Sequence, residues 1–288
     1  MSNRALGIYR EPEFSPGKVE ADAAILDATL AELKREGVEI HAIDAASFAA
    51  GVPIRADLVL PMCQGPRALK RLAEVEQAGA VAINSALSIR NCYRDLLASG
   101  LERAGVPTPA GALVPADEPL DARKLAALDL SAGVFVKRGD LHALAPEDVQ
   151  RAADRAEVEL ILADFARRGV RFAYVQQEVV GRVVKFYGVS GGAHFSVHPE
   201  GEEVAEASVR ALSEAACAAA AALGLEAWGG DAVLSGDGFA IIDFNDWPSY
   251  SRVRAPASRA IARRAISLLG ARARVAPEIQ TRNRTAIN

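Results

Sequence analysis

The strongest constraint on this chain is the alternation of short apolar runs with amphipathic segments in its first third. Ala5 to Tyr9 reads as a strand, and Val19 to Lys34 repeats apolar residues at helical spacing before Gly37, a natural helix terminator. Val38 to Ile43 and Leu58 to Met62 read as buried strands, and a helix from Arg67 to Gln77 separates the second from an apolar run at Ala80 to Ile83. Such alternation favours a mostly parallel α/β sheet. The loop after the first strand is R-E-P-E-F-S-P-G and lacks a G-x-G-x-x-G turn, which counts against a Rossmann-type oxidoreductase.

The pattern changes after a helix from Ile89 to Arg103, at the segment A-G-V-P-T-P-A-G. Proline cannot continue a helix and restricts the residue before it, so this run marks a boundary. Beyond it, Val134 to Lys137, Phe172 to Glu178 and Val183 to Val189 read as strands, with a helix from Pro146 to Arg168 between the first two. The last two strands, separated by V-V-G-R, read as an antiparallel pair. An Ala-rich helix from Val209 to Leu223 stops at Gly224, and a hairpin follows, Asp231 to Leu234 and Phe239 to Asn245 around S-G-D-G. A closing helix runs from Pro256 to Leu269, and the tail 281–288 is expected to be loosely held. The reading is an N-terminal α/β lobe over residues 1–88, then two α+β lobes over 89–190 and 191–288.

With 33 basic residues against 37 acidic ones and a net charge of −4, the chain carries no electrostatic footprint for nucleic acid or an anionic membrane. Its apolar runs are too short to span a bilayer, and M-S-N-R-A-L-G-I-Y-R lacks the apolar core of a signal peptide. Cys63, Cys92 and Cys217 are widely spaced and odd in number, which fits a reducing cytoplasm and neither a disulfide framework nor a zinc site. A symmetric homodimer is the default expectation for an enzyme of this size.

The run I-I-D-F-N-D-W-P carries the chemistry. Residues two apart on a strand share a face, so Asp243 and Asn245 project together. A carboxylate beside an amide oxygen is a hard-ligand set of the kind Mg²⁺ accepts. Asp231 joins them across the hairpin only if the turn has an odd number of residues or the strands carry a bulge; otherwise it faces away. An isolated D-x-N more often caps a strand than binds a metal, so the surrounding motifs decide.

The run A-L-G-L-E-A-W-G-G-D-A-V-L-S-G-D-G-F-A-I-I-D-F-N-D-W-P resembles the C-terminal signature of ATP-grasp enzymes, which include D-alanine–D-alanine ligase and ribosomal-protein glutamate ligases. I-N-S-A-L-S-I-R-N-C-Y-R-D-L-L followed by A-G-V-P-T-P resembles the entry to that family's central lobe. V-F-V-K-R-G-D resembles its phosphate-binding strand, and V-Q-Q-E-V-V-G-R-V-V-K-F-Y its adenine hinge; together these runs follow the family's order across residues 83–250. The resemblance implies an ATP-grasp fold whose two α+β lobes clasp ATP. It implies Asp231, Asp243 and Asn245 as ligands of two Mg²⁺ ions (or Mn²⁺), Lys137 on the phosphates, Gln177, Glu178 and Val180 at the adenine hinge, and Lys185 near the transferring phosphate.

Three departures stand out. Asp95-Leu96 replaces the family's usual Asp-Lys pair, leaving Arg94 as the nearest cation. The glycine-rich flap after the lysine is reduced to R-G-D-L-H-A-L, where His142 is the candidate to act, and Val183 and Val184 offer no acid for the ribose. The implied function is a carboxylate–amine ligase working through an acyl phosphate, with Arg252 or Arg254 a candidate to hold a substrate carboxylate. Arg10, Glu11, Cys63, Gln64, Ser249 and Ser251 are further substrate-side candidates. A kinase on the same fold and a non-catalytic ATP-binding regulator are the alternatives.

Overall fold

The computed structural model describes residues 3–236 and 238–285, with side chains described to residue 272. Among the described residues the strands form three four-stranded sheets, and the chain fills them in order.

The first sheet is parallel. It contains β1 (Arg4–Tyr9), β2 (Glu39–Asp44), β3 (Leu58–Pro61) and β4 (Val81–Ala82) in the order β2-β1-β3-β4. Its crossovers are α1 (Val19–Arg35), α2 (Ala45–Ala49) and α3 (Pro66–Gln77). The α1 helix carries Glu20 and Asp22 in its first turn and Lys34 and Arg35 in its last, matching the helix dipole at both ends.

The expected helix from Ile89 to Arg103 is two helices, α4 (Ala86–Asn91) and α5 (Arg94–Arg103). Tyr93 causes the break. Its backbone is extended, its hydroxyl donates to the Gln64 carbonyl, and the Arg90 guanidinium lies 4.6 Å over its ring. These are contacts distant in sequence, invisible to helical periodicity.

The central sheet contains β5 (Gly111–Pro115), β6 (Val134–Arg138), β7 (Val149–Ala152) and β8 (Phe172–Gln177), in the antiparallel order β5-β8-β6-β7. One helix, α6 (Arg155–Arg167), covers it, with Asp154 capping its N-terminus through Glu157 N. The predicted helix from Pro146 therefore begins nine residues late, because Val149–Ala152 pairs with β6 instead.

The third sheet contains β9 (Arg182–Val189), β10 (His194–Pro199), β11 (Ala227–Ser235) and β12 (Gly238–Asp246), in the antiparallel order β10-β9-β11-β12. It is backed by α7 (Glu206–Leu223), which ends at Gly224 in the left-handed region, and by α8 (Arg254–Thr285). Two expectations change here. β8 and β9 are not a pair, since β9 bonds β10 and β11, and a boundary at 190 would cut this sheet. Extended residues on either side of Gly181 look alike in sequence, and only their partners separate them. The closing helix also runs past Leu269 to Thr285; of the tail 281–288, residues 286–288 lie outside the described residues.

Trp228 and Phe244 stack in the core of the third sheet with ring centroids 5.5 Å apart, and Phe186 meets the Trp228 ring edge-on. Gly188 is required there, because a Cβ would sit 2.2 Å from the Trp228 ring.

Candidate active site

The β11–β12 hairpin sets one face of the site. Only two residues lie between the paired Ser235 and Gly238, an even number that alone would turn Asp231 away. The register shifts between Asp231 and Ala232, however: Ala232 pairs with Ile241 and Asp231 with Asp243, leaving Ile242 as the extra residue of a β-bulge. The bulge restores the parity, so Asp231, Asp243 and Asn245 all line one cleft. Gly230 permits it, since a Cβ there would stand 2.3 Å from the Asp243 carbonyl oxygen.

Cations face these acids. Lys185 lies directly opposite Asp231 on β9 and its Nζ donates to Asp231 Oδ1 at 2.8 Å. Burial alone would lower the Lys185 pKa, but the Asp231 carboxylate outweighs it and holds the ammonium above its ordinary value. Arg94, at the start of α5, places Nη2 3.8 Å from Asp243 Oδ2 and donates through Nη1 to the Arg138 carbonyl. Burial pushes Asp243 up, yet Arg94, Lys137 and His142 together leave it below the usual carboxylate range.

Lys137 behaves differently. It is 6% exposed, and its Nζ donates to Gln176 Oε1 at 2.6 Å and to the carbonyl of the bulge residue Ile242 at 2.9 Å. Desolvation, only partly offset by Asp243, lowers its pKa to about 8. The bulge thus does two things: it aligns the carboxylates and presents a carbonyl that ties the central lobe to the third sheet.

Strand register divides the residues of β8 between two faces. Lys137 pairs with Tyr174 and Phe135 with Gln176, so Tyr174 and Gln176 share the face of Lys137. With Leu97, Leu101, Thr108 and Ile241 they line a crevice of about 20 Å³, room for about one water. Gln177 lies on the other face, where it bonds Asp129 and the Gly133 carbonyl. Glu178 pairs with Arg151 at 2.7 Å, and Val180 is 82% exposed. The alternation of Ala173 and Val175 with Tyr174 and Gln176 was the signal that separates the two faces.

His142 lines the cleft with its ring edge-on to Tyr93 and its Nε2 3.5 Å from Asp246 Oδ1. Arg252, Ser249 and Ser251 line the cleft too, Arg252 3.8 Å from Glu200. Arg10 reaches it, but its fork is spent on Asp22 and on the Met62 and Trp247 carbonyls. Glu11 instead accepts from Gln64 N and Gly65 N ahead of α3, and Cys63 is buried, its thiol pushed up by desolvation. Sequence reasoning did not single out Gln176, Asp22 or Asp246.

Two carboxylates and an amide on one face fit a hard divalent cation, because Mg²⁺ takes one or two protein carboxylates and completes its shell with water and phosphate oxygens. Among the described residues no three of His, Cys, Asp and Glu converge on a metal unaided. The donor set therefore suits an ion that arrives with phosphates. The cleft itself, about 460 Å³, is of small-molecule size.

No family model matches the sequence, and no curated protein matches it by sequence. Solved structures do match. The D-alanine–D-alanine ligase of Coxiella burnetii superposes with a TM-score of 0.73 at 13% identity, covering 97% of this chain and 100% of that one. The D-alanine–D-alanine ligase of Bacillus anthracis complexed with ATP gives 0.70 at 14% identity, covering 93% and 99%. A RimK domain ATP-grasp protein of Sphaerobacter thermophilus gives 0.68 at 18% identity, covering 91% and 99%. The chain has the ATP-grasp fold. Among the described residues no helix is long and apolar enough to cross a membrane.

Proposed function

We propose that this chain, folded as an ATP-grasp protein, is an ATP-dependent carboxylate–amine ligase that releases ADP and phosphate. The observation that carries the reading is the bulge at Ile242, which brings Asp231 opposite Asp243 and sets both, with Asn245, on one wall beside Lys185 and Arg94. The acids and cations neutralise one another in the free protein. Both sets can be redeployed at once, the acids onto a cation and the cations onto phosphate.

Asp231, Asp243 and Asn245 would hold Mg²⁺, which supplies charge neutralisation for the transferring phosphoryl group. Lys137, Lys185 and Arg94 stabilise the same developing charge from the protein side. Gln176, rather than Gln177, faces the adenine edge. The crevice beside it holds about one water, so a purine needs the crevice to widen. Closure afterwards keeps water from the acyl phosphate. His142 lies toward Asp246 and serves the substrate side more than the phosphates.

The likeness to D-alanine–D-alanine ligases and to a RimK domain protein supports the choice of a ligase over a kinase. ADP release with pools of amino acids, small carboxylates and amines tests it. Turnover that needs both a carboxylate and an amine is expected. Turnover with a polyol alone would establish a kinase instead, and ATP binding without turnover in any pool a regulator.

A further inference from the structure

The chain leaves β12 through Asp246, Trp247 and Pro248, just beyond Asp243 and Asn245. Trp247 takes a φ of 39°, in the left-handed region that bulky side chains rarely adopt, and it does so ahead of a proline, which favours extended backbone before it. Such a conformation persists only where its surroundings over-determine it. The Trp247 ring is fully buried and its Nε1 donates to the Ile83 carbonyl, while its backbone N–H donates to the Ala227 carbonyl at 3.1 Å. The remaining backbone group, its carbonyl, accepts from Arg10 Nη2 at 2.7 Å, and the same nitrogen lies 3.4 Å from the Asp246 carbonyl.

Arg10 is itself fixed on its other two nitrogens. Nε donates to the Met62 carbonyl at 3.0 Å, just past β3, and Nη1 donates to Asp22 Oδ2 of α1 at 3.1 Å. The Ser15 hydroxyl donates to that same carboxylate oxygen at 2.7 Å. One planar fork therefore ties together β3, α1 and the exit from β12. A lysine ammonium, a point donor on a flexible stem, does not reproduce that fork.

Resting on the ligase reading, we propose that Arg10 is a positioning residue for the metal site, acting through the Trp247 turn. By gripping the Trp247 carbonyl it sets how the chain leaves β12, and so the direction of the Asn245 side chain two residues upstream. Its donors all go to protein groups, so it works through backbone and not on metal or phosphate. Without that grip the turn relaxes toward the extended backbone that a residue before proline prefers. The contact from Asn245 Nδ2 to Asp243 Oδ2, 3.3 Å long, is too weak to hold the two side chains together alone. Mg²⁺ demands near-ideal octahedral geometry, so a ligand turned out of line weakens its binding.

Mn²⁺ binding to the full chain with a non-hydrolysable ATP analogue, followed by the electron paramagnetic resonance signal of the free ion, reads the site without turnover. Arg10→Lys keeps a positive charge beside Asp22 and loses the fork. It should raise the Mn²⁺ dissociation constant about tenfold or more with the melting profile retained. Asp22→Asn weakens the ion pair but leaves the Trp247 contact, and should raise that constant less than about threefold. Where Arg10→Lys folds poorly, Arg10→Met combined with Asp22→Asn removes both charges together, strands no buried carboxylate, and should show the same tenfold loss. Unchanged Mn²⁺ affinity in a folded Arg10 variant, or an equal loss in Asp22→Asn alone, overturns the positioning role while the metal reading stands. An unaltered chain that takes up no Mn²⁺ with the analogue overturns the metal reading and the positioning role with it.

Discussion

Leu26, Leu58 and Ile83 of the N-terminal lobe share one hydrophobic core with Tyr187, Trp247, Tyr250 and Ile261 of the C-terminal lobe, whereas the central sheet packs a core drawn from residues 114–175 alone. Polar ties reinforce the first arrangement. Asn84 bonds Glu226 N and Ala227 on both of its amide atoms, and Trp247 Nε1 donates to the Ile83 carbonyl at 2.6 Å. The cleft therefore has one wall fixed by shared packing and one that is independent. The carboxylates sit on the fixed wall and Lys137 on the independent one. The two lysines show what this difference does: Lys185, paired across strands on the fixed wall, is held above its ordinary pKa, and Lys137, buried where the walls meet, is pulled down to about 8. Metal ligands gain from rigidity, while a phosphate contact that must admit the nucleotide gains from a wall that can part.

The largest effect should come from the fixed wall. Asp243→Ala should lower Mg-dependent ADP release by about a thousandfold or more with the melting profile retained, and EDTA should do the same to the unaltered chain. Normal turnover in that variant would remove the metal role from this wall. Lys137→Ala, across the cleft, should cost about a hundredfold in kcat/KM for ATP, and Lys185→Ala, on the wall of the carboxylates, about tenfold, because its charge is partly solvated. Equal losses would erase the contrast between the walls.

Smaller effects sharpen the hinge. Gln176→Ala should raise KM for ATP about tenfold and Gln177→Ala less than about twofold, given opposite faces of the same strand. The reverse order would return the adenine edge to Gln177. Finally, in the proposed ligase Lys137 would bind phosphate in its protonated form, so ATP affinity should weaken as pH rises through 8, by about fivefold between pH 8 and pH 9 in calorimetric titrations. The same group acts on stability with the opposite slope. Its folded pKa of about 8 lies below the ordinary 10.5, so the unfolded chain binds more protons between those values and stability rises with pH across them. A pH-independent affinity would place Lys137 away from the phosphates.

The parallel first sheet, the β11–β12 hairpin and the shared face of Asp243 and Asn245 were legible in the chain, because helix and strand periods are written in neighbouring side chains. The parity rule for Asp231 was legible as a condition, since it follows from strand geometry alone. Its fulfilment was not: the bulge at Ile242 depends on Gly230 and on how β11 meets β9 and β12. That Gln176 and Gln177 stand on opposite faces of β8 was readable from the alternation along that strand.

Sequence by itself determined the strands of the first sheet, the helices α1, α3 and α7, and the extended hairpin that carries Asp243 and Asn245. Tertiary structure alone decided that β8 and β9 join different sheets, that Tyr93 breaks a helix, and that Asp246 turns its carboxylate to Gln64 and His142 of other lobes. Local periodicity is a property of residues a few positions apart. Partner, register and burial are set by contacts with residues as distant as Gln64 from Asp246, and those exist only once the chain has closed on itself.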